Sequence, residues 1–174
     1  MLKRWVTAKL IEDRTFMARV AEEAGMYEDM VVYLKDLLST KENDFNVEER
    51  NLLSVSFKNW VNPERTAIKL VGDLSEHPKL QKFKENMKAY KTRLENEHKE
   101  KCNTIIELIE QQCLPLAVNS ESKVFFLKMV GDYYRYQAEF IYVTPFSHLE
   151  NRTLQEKKAH LMKTKILEKV ERYY

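Results

Sequence analysis

One short run of the chain carries two cations, a tyrosine hydroxyl and a carboxylate at helical spacing. Lys128 and Arg135 lie seven residues apart, Tyr136 follows the arginine, and Glu139 lies four residues beyond Arg135. Seven residues turn an α-helix through about 700°, so the two cations lie close to one line on its surface. Glu139 is placed to hold the Arg135 guanidinium in a fixed direction. This pattern predicts either an anion-binding edge or a solvated face with weak ion pairs.

A second cationic line occurs earlier in the sequence. Lys58 and Arg65 lie seven residues apart, and Lys69 lies eleven residues from Lys58, which keeps all three close to one helical line. If the two lines face each other across a groove, three or four cations converge. That arrangement suits a phosphate, because arginine offers a planar fork to two phosphate oxygens and a tyrosine hydroxyl adds a neutral donor. Spacing alone leaves both the phosphate site and the solvated face open.

The composition predicts an all-α protein. The 174 residues include only three glycines and four prolines, which argues against sheets with tight hairpins. A chain that is 44% hydrophobic and 32% charged is typical of amphipathic helices. The 29 basic and 27 acidic residues give a net charge of +2, so no general attraction to nucleic acid is indicated. Any electrostatic function must come from the local arrangement of charges.

Cysteine and histidine usage indicates neither a disulfide nor a cofactor. Cys102 and Cys113 lie on one predicted helix about 16 Å apart, too far for a disulfide. No metal or cofactor is expected, since cysteines and histidines form no cluster at ligand spacing, and a reduced compartment is the default. No apolar run approaches the roughly 20 residues of a membrane span, and the N-terminus has no signal-peptide core. We expect a cytoplasmic protein, with the nucleus as a second compartment, and no partnership with nucleic acid or membrane.

Glycine, proline and capping signals divide the chain into about six antiparallel helices. Asn46 and Glu49 form a predicted capping box, and Ser39–Phe45 is a predicted loop. The predicted helices run from the N-terminus to about Ala24, from Tyr27 to Leu38, from Asn46 to His77, from Lys79 to Leu114, from Asn119 or Ser120 to Tyr142, and from Thr153 to the C-terminus.

Two of these helices carry an apolar stripe that predicts their buried face. On the third helix the stripe consists of Leu53, Phe57, Trp60, Ala67, Val71 and Leu74. On the fifth helix it consists of Val124, Leu127, Gly131, Tyr134, Ala138 and Ile141. An unpaired sixth helix is expected to expose Met162, Ile166, Val170 and Tyr173, an apolar patch that indicates a missing partner.

Several segments resemble the signature sequences of the 14-3-3 family. The long ones are Val47–Val55, Glu121–Met129 and Gly131–Tyr136, and shorter similarities occur at Ala21–Ala24 and Tyr27–Met30. The resemblance runs from about Met17 to Phe140 and implies a dimeric, all-helical adaptor that binds phosphoserine or phosphothreonine segments of client proteins in signalling. It implies one 14-3-3-like domain over residues 1–174, the N-terminal two-thirds of the family fold, without the last three helices of the family.

The resemblance also implies the residues that bind the phosphopeptide. Lys58, Arg65 and Arg135 correspond to the family's phosphate-binding cations, and Tyr136 corresponds to its hydroxyl donor. Lys69 stands where the family usually has arginine and keeps the charge without the bidentate fork. The full implied set is Lys58, Arg65, Arg135, Tyr136, Lys128, Glu139 and Lys69.

A dimer is implied as well, with itself or with a related chain, in which the first helix packs on the partner's third and fourth helices. Tyr90 corresponds to an aromatic interface position, and Asp29 with Arg93 to a cross-subunit ion pair. Such an exposed pair contributes only about 0–1 kcal/mol, so apolar burial must drive association. Met26 replaces an interface arginine, which is expected to leave Glu97 without its usual partner.

Other departures from the family weaken the predicted groove. Pro63 lies between Lys58 and Arg65 and removes a backbone hydrogen bond, so we expect a bend that separates these two cations. Val130 replaces a frequent lysine, which is expected to weaken the positive field. The alternative function is therefore a helical dimerisation scaffold with weakened or lost phosphopeptide binding. An enzyme is not expected, because the four histidines, which should be solvated, show no triad spacing and no glycine-rich phosphate loop is present.

Overall fold

The computed structural model describes residues 2–140, together with Thr164 and Glu168. The helices within residues 2–140 are α1 (Leu2–Glu23), α2 (Tyr27–Thr40), α3 (Val47–Glu76), α4 (Lys84–Leu108) and α5 (Ser120–Glu139). A 3-10 segment, Pro78–Phe83, precedes α4, and a π-helical turn, Ile109–Cys113, follows it. The all-α prediction is confirmed.

Local capping explains several helix boundaries. Gly25 follows α1 with a φ of +69°, a left-handed conformation that glycine adopts without strain. The predicted capping box at the start of α3 is confirmed, since the Asn46 side chain accepts from the Glu49 amide and the Glu49 carboxylate accepts from the Asn46 amide. Asn119 caps α5 by accepting from the Ser122 amide at 2.8 Å.

Two predicted boundaries are wrong for identifiable reasons. The fourth helix does not begin near Lys79, because Pro78 starts a 3-10 segment and the α-helical pattern begins only at Lys84. Helix α2 extends past the predicted Leu38 to Thr40. Its last turn is supported by hydroxyl hydrogen bonds from Ser39 to the Asp36 carbonyl and from Thr40 to the Leu37 carbonyl.

Consecutive helices pack against each other, and α3 also contacts α5 across the array. Phe45 and Phe126 meet edge to face, with ring centroids 5.0 Å apart, which ties the loop before α3 to α5. A smaller apolar cluster of Ile68, Val71 and Leu94 joins α3 to α4. The most completely buried side chains of the main core are Met30, Leu34, Leu53, Phe57, Ile105, Ile109, Phe126 and Val130.

The predicted buried faces are partly correct. On α3, Leu53, Phe57 and Val71 are buried, Trp60 and Ala67 are partly buried, and Leu74 is exposed. On α5, Gly131, Tyr134 and Ala138 are buried as predicted, whereas Val124 is exposed and Leu127 only partly buried. The α5 core face is rotated toward other residues, namely Phe126, Met129, Val130 and Tyr133.

Val130 is fully buried among core residues. The side chain therefore contributes to the core, and the weaker positive field expected from the absence of a lysine at this position stays a prediction. Pro63 lies inside α3, which continues without interruption to Glu76. An unbroken helix can still bend at a proline, so the bend stays a prediction.

Some predictions fall on residues that the structure does not describe. They concern Ile141 and Tyr142 at the end of the fifth helix, and the sixth helix from Thr153 with Met162, Ile166, Val170 and Tyr173. Cys102 and Cys113 are both free and buried. Within the described residues, no group of histidine, cysteine and acidic side chains is arranged to hold a metal ion. No described helix is long and apolar enough to cross a membrane.

Candidate anion-binding site between α3 and α5

A carboxylate at the end of α5 joins the two cationic lines. Arg65 of α3 donates to Glu139 Oε2 from Nε at 3.1 Å and from Nη2 at 2.8 Å. Lys69 Nζ lies 2.8 Å from the other oxygen, Oε1. Burial alone would raise the pKa of Glu139, but the hydrogen bonds from Lys69 and Arg65 outweigh burial and lower this pKa. One ionised carboxylate therefore holds two α3 cations against α5.

Two guanidinium groups lie over one tyrosine ring at this junction. Arg65 Cζ is 4.1 Å from the centroid of the Tyr136 ring, and Arg135 Cζ is 4.8 Å from it. Such contacts contribute about 0.5–2 kcal/mol each, and they fix the direction of the planar guanidinium. Helix packing thus gathers an arginine from each predicted line around the predicted hydroxyl donor.

The partner of Arg135 differs from the one that spacing predicts. Arg135 Nη2 donates to Asp132 Oδ1 at 3.0 Å, within the same helix. Glu139, the predicted partner, uses both oxygens for Arg65 and Lys69 of α3 instead. The difference arises because α3 packs beside the end of α5, and its cations reach Glu139 from across the groove.

The site is open to solvent. The side chains of Arg135 and Lys69 are 53% and 58% exposed, and that of Arg65 is 21% exposed. Lys58 and Lys128 are also exposed, although among the described side chains they take no part in these contacts. The structure therefore brings together one group of the predicted binding residues, consisting of Arg65, Lys69, Arg135, Tyr136 and Glu139.

A histidine that we assigned no role lies directly behind this group. His98 of α4 is 1% exposed, so the expectation that it is solvated is wrong. Its Nε2 lies 3.4 Å from the backbone carbonyl oxygen of Tyr136. The signal was present in the sequence, because His98 falls at helical spacing between Leu94 and Cys102, both of which are buried on the same face of α4.

A second group that spacing did not reveal fixes α3 beside Arg65. Lys101 Nζ lies 2.8 Å from Glu64 Oε1, 3.1 Å from Glu28 Oε1 and 3.2 Å from the Trp60 carbonyl oxygen. The side chains of Lys101 and Glu64 are only 16% and 15% exposed. The hydrogen bond from Lys101 lowers the pKa of Glu28. This triad connects α2, α3 and α4 next to the site.

The start of α5 is positioned by a buried arginine. Arg50 is 4% exposed and donates from Nη1 to the Phe45 carbonyl at 3.0 Å and to the Ser122 hydroxyl at 2.9 Å. Its Nη2 pairs with Glu121 in the first turn of α5. The loop before α3 therefore contacts α5 through the Phe45 ring and, by way of Arg50, through polar groups.

Asp44 supports the same junction. Its Oδ2 accepts from the backbone amides of Val118 and Asn119 at 3.0 and 3.1 Å, and from the Asn119 side chain at 2.7 Å. Burial by itself would raise the pKa of Asp44, but hydrogen bonds from the Asn119 and Phe45 amides lower it to about 2. The cap of α5 is thus itself held in place by an ionised carboxylate.

The predicted dimer positions lie on the surface. Asp29, Tyr90 and Arg93 are exposed, and Arg93 Cζ lies 5.0 Å from the Tyr90 ring centroid. Arg93 Nη1 donates to Glu97 at 3.1 Å within the single chain, and the expected loss of the usual cross-subunit partner of Glu97 stays a prediction.

Large apolar side chains are exposed near these positions. Phe16 is 64% exposed and also lines a cavity of about 650 Å³ between α1 and the start of α3. Large exposed apolar side chains mark an interaction surface when they lie together. The exposed apolar side chains of α1 to α4 include Phe16, Val20, Met26, Leu70, Leu74 and Phe83.

Comparison with known proteins finds one family. The family model of the 14-3-3 protein matches residues 17–170. The curated 14-3-3 protein 10 of Solanum lycopersicum is 42% identical over 134 residues, which cover 74% of this chain and 53% of the relative. The 14-3-3-like protein G-BOX factor 14 kappa of Arabidopsis thaliana is 42% identical over 130 residues, which cover 72% of this chain and 52% of the relative. The 14-3-3 protein 3 of Entamoeba histolytica is 39% identical over 132 residues, which cover 74% of this chain and 55% of the relative. The chain therefore spans about half the length of these relatives.

Proposed function

Because the chain belongs to the 14-3-3 family of non-enzymatic adaptors, we propose that it binds phosphoserine or phosphothreonine segments of client proteins and regulates those clients in signalling. The observation that carries this proposal is the meeting of Arg65 and Arg135 at the Tyr136 ring. Two planar forks beside a tyrosine that carries a hydroxyl donor suit the three acceptor oxygens of a phosphate monoester.

The contacts of Arg65 orient its guanidinium for a ligand. Glu139 accepts from Nε and Nη2, while Nη1, among the described residues, makes a single 3.5 Å contact with the Asn62 side chain. A guanidinium carries five N–H donors, so donors remain for phosphate oxygens. Holding the fork in place before binding reduces the entropy lost when the ligand arrives.

The charge balance at the site favours a dianion. Among the described side chains, Arg65, Lys69 and Arg135 outnumber the carboxylates of Asp132 and Glu139 that contact them. The exposed amines Lys58 and Lys128 lie on the same helical lines as Arg65 and Arg135 and carry further positive charge. Their flexible stems allow them to approach a bound phosphate as point charges.

We further propose that the protein acts as a dimer, with itself or with a related chain, through α1 on one subunit and α3 and α4 on the other. The exposure of Phe16, Val20, Met26 and Tyr90 supports this arrangement. The proposed location is the cytoplasm, with the nucleus as a second compartment. The described array would then be the N-terminal part of a 14-3-3 domain.

Fluorescence anisotropy with a phosphoserine peptide and its unphosphorylated twin tests the proposal. We expect the phosphorylated peptide to bind at least about tenfold more tightly, which corresponds to one charge-assisted contact of about 1.4 kcal/mol. Equal affinity for both peptides would refute phosphate recognition.

One observation favours a second candidate, a dimerisation scaffold that no longer recognises phosphate. Glu139 already pairs with both Arg65 and Lys69, while Phe16 stays exposed on α1. A protein of this kind would dimerise normally and bind both peptides equally.

A further inference from the structure

We propose that His98 is a positioning residue for the anion-binding site, whose neutral imidazole holds the last turn of α5 and whose protonation releases that turn. This inference rests on the proposed function and adds to it a dependence of binding on pH. His98 touches neither the predicted ligand nor the two guanidinium groups, so any influence on binding passes through Tyr136.

The geometry makes His98 a cap for α5. The last four carbonyl groups of an α-helix lack partners within the helix, and α5 ends at Glu139, so the Tyr136 carbonyl is one of them. His98 Nε2, 3.4 Å away, is assigned as the N–H that donates to this oxygen. The Cys102 sulfur lies 3.6 Å from the same nitrogen, and the imidazole meets the Phe140 ring edge to face at 5.1 Å. His98 of α4 therefore contacts the α5 terminus at two points, the Tyr136 carbonyl and the Phe140 ring, while Cys102 of its own helix lies beside the same nitrogen.

The supported residues are those of the site. Tyr136 presents its carbonyl to His98, while its ring lies within 4.1 Å of Arg65 Cζ. Glu139, which binds Arg65 and Lys69, belongs to the same helical turn. A displacement of this turn would move the tyrosine ring and release both α3 cations.

Protonation of the His98 imidazole is unfavourable while the ring lies buried behind Tyr136. Nδ1 of His98 is buried and has no hydrogen-bond partner among the described residues. A second N–H on the ring would therefore be buried without an acceptor, and a buried charge without a partner is costly. The neutral form should dominate while the last turn of α5 stays in place.

The groups around His98 shift its pKa in both directions. Burial lowers the pKa of His98 and outweighs the Tyr136 carbonyl, which raises it. Arg65 of α3 lowers the pKa further, whereas Glu64 of α3 and Glu139 of α5 raise it. Because the pKa of His98 is lowered in the folded protein, its stabilisation of the last turn of α5 is complete above the ordinary imidazole pKa of about 6.5. This stabilisation declines as the pH falls below that value.

The test compares affinity for the phosphoserine peptide at pH 7.5 and 5.5 in the full chain and in His98→Gln. Titration of the phosphate itself affects both proteins equally, so it cancels when their losses are compared. Between pH 7.5 and 5.5, we expect the wild-type protein to lose about threefold to tenfold more affinity than His98→Gln. The reason is that, one pH unit below 6.5, an exposed imidazole is protonated about ten times more often than it is neutral.

Two control variants separate titration from simple loosening. His77→Gln removes an exposed histidine at the end of α3 and should retain the full pH-dependent loss. Asn103→Ala removes a 2.6 Å hydrogen bond from Gln137 across the same pair of helices, without a titratable group. It should reduce affinity by the same factor at both pH values. Equal losses in the wild-type protein and His98→Gln would overturn the inference.

A measurement without ligand keeps the inference separate from the proposed function. The Arg65 Nε–H donates to Glu139, so its exchange with water, followed by NMR, reports on the last turn of α5. In the wild-type protein, we expect exchange of the Arg65 Nε–H to accelerate below the pH at which His98 titrates, although intrinsic exchange slows with acid. In His98→Gln, we expect no such acceleration. Absence of this acceleration overturns the inference even if the peptide binds. If the peptide fails to bind at pH 7.5, the proposed function is wrong and the exchange measurement alone decides the role of His98.

Discussion

Arg65 and Glu139 are joined by two hydrogen bonds, of 3.1 and 2.8 Å, that end on one carboxylate oxygen. The two residues belong to α3 and α5, which are separated along the chain by all of α4. Their contact brings the Arg65 guanidinium to the Tyr136 ring, where Arg135 also lies. The predictions below follow from this junction and from the groups that hold it in place.

Replacing Arg135 with alanine should weaken binding of the phosphoserine peptide by at least about tenfold, because a charge-assisted hydrogen bond contributes about 1.5–3 kcal/mol. Affinity for the unphosphorylated peptide should not change. Arg19→Ala is the matched control, since Arg19 is an exposed arginine of α1 paired with Glu48 in the first turn of α3. Fluorescence anisotropy measures both, and an Arg135→Ala protein that binds as tightly as Arg19→Ala would contradict the prediction.

Lys101→Met should lower the free energy of unfolding by about 2–4 kcal/mol, because it leaves the largely buried carboxylate of Glu64 without its cation, whereas the exposed Glu28 carboxylate adds little to this cost. Urea denaturation followed by circular dichroism measures the loss. Lys84→Met is the control, as Lys84 makes only an exposed contact of 3.7 Å with Glu76. Its cost should stay below about 0.5 kcal/mol.

Asp44 should contribute stability that depends on pH. Its folded pKa of about 2 lies below the ordinary value of 3.8, so the contribution is present above pH 3.8 and disappears as the pH falls toward 2. Asp44→Asn should therefore be less stable at neutral pH and should lose less stability between pH 4 and 2 than the wild-type protein. Acid titration followed by circular dichroism measures both, and parallel curves for the two proteins would exclude this role for Asp44.

Phe16→Asp should convert the proposed dimer into a monomer, because it places a charge within the exposed apolar surface of α1. Sedimentation velocity gives the mass directly, against 20.8 kDa for one chain. Val118→Asp serves as the control, since Val118 is more exposed, at 79%, but lies before α5 and away from the proposed interface. A Phe16→Asp protein with the same mass as the control would exclude α1 from the interface.

Local signals account for the parts of the structure that were predicted well. The Asn46–Glu49 capping box, the turn at Gly25 and the Asn119 cap all depend on neighbouring residues, so they are readable from a few positions. The start of α4 was missed because the 3-10 geometry that follows Pro78 is also stabilised by contacts with α3. The buried face of α5 was misplaced because apolar residues occupy more than one of its sides.

The sequence by itself determined the helices and the residues that each presents at helical spacing, including the cations of α3 and α5. Helical periodicity depends only on a rise and a rotation per residue, so it fixes which side chains share a line. It contains no information on which neighbouring helix that line faces. Only the tertiary structure decided that Glu139 pairs with Arg65 rather than with Arg135, and that His98 is buried behind Tyr136. These contacts join residues far apart in the chain, and they form only when helix packing brings the separate lines together.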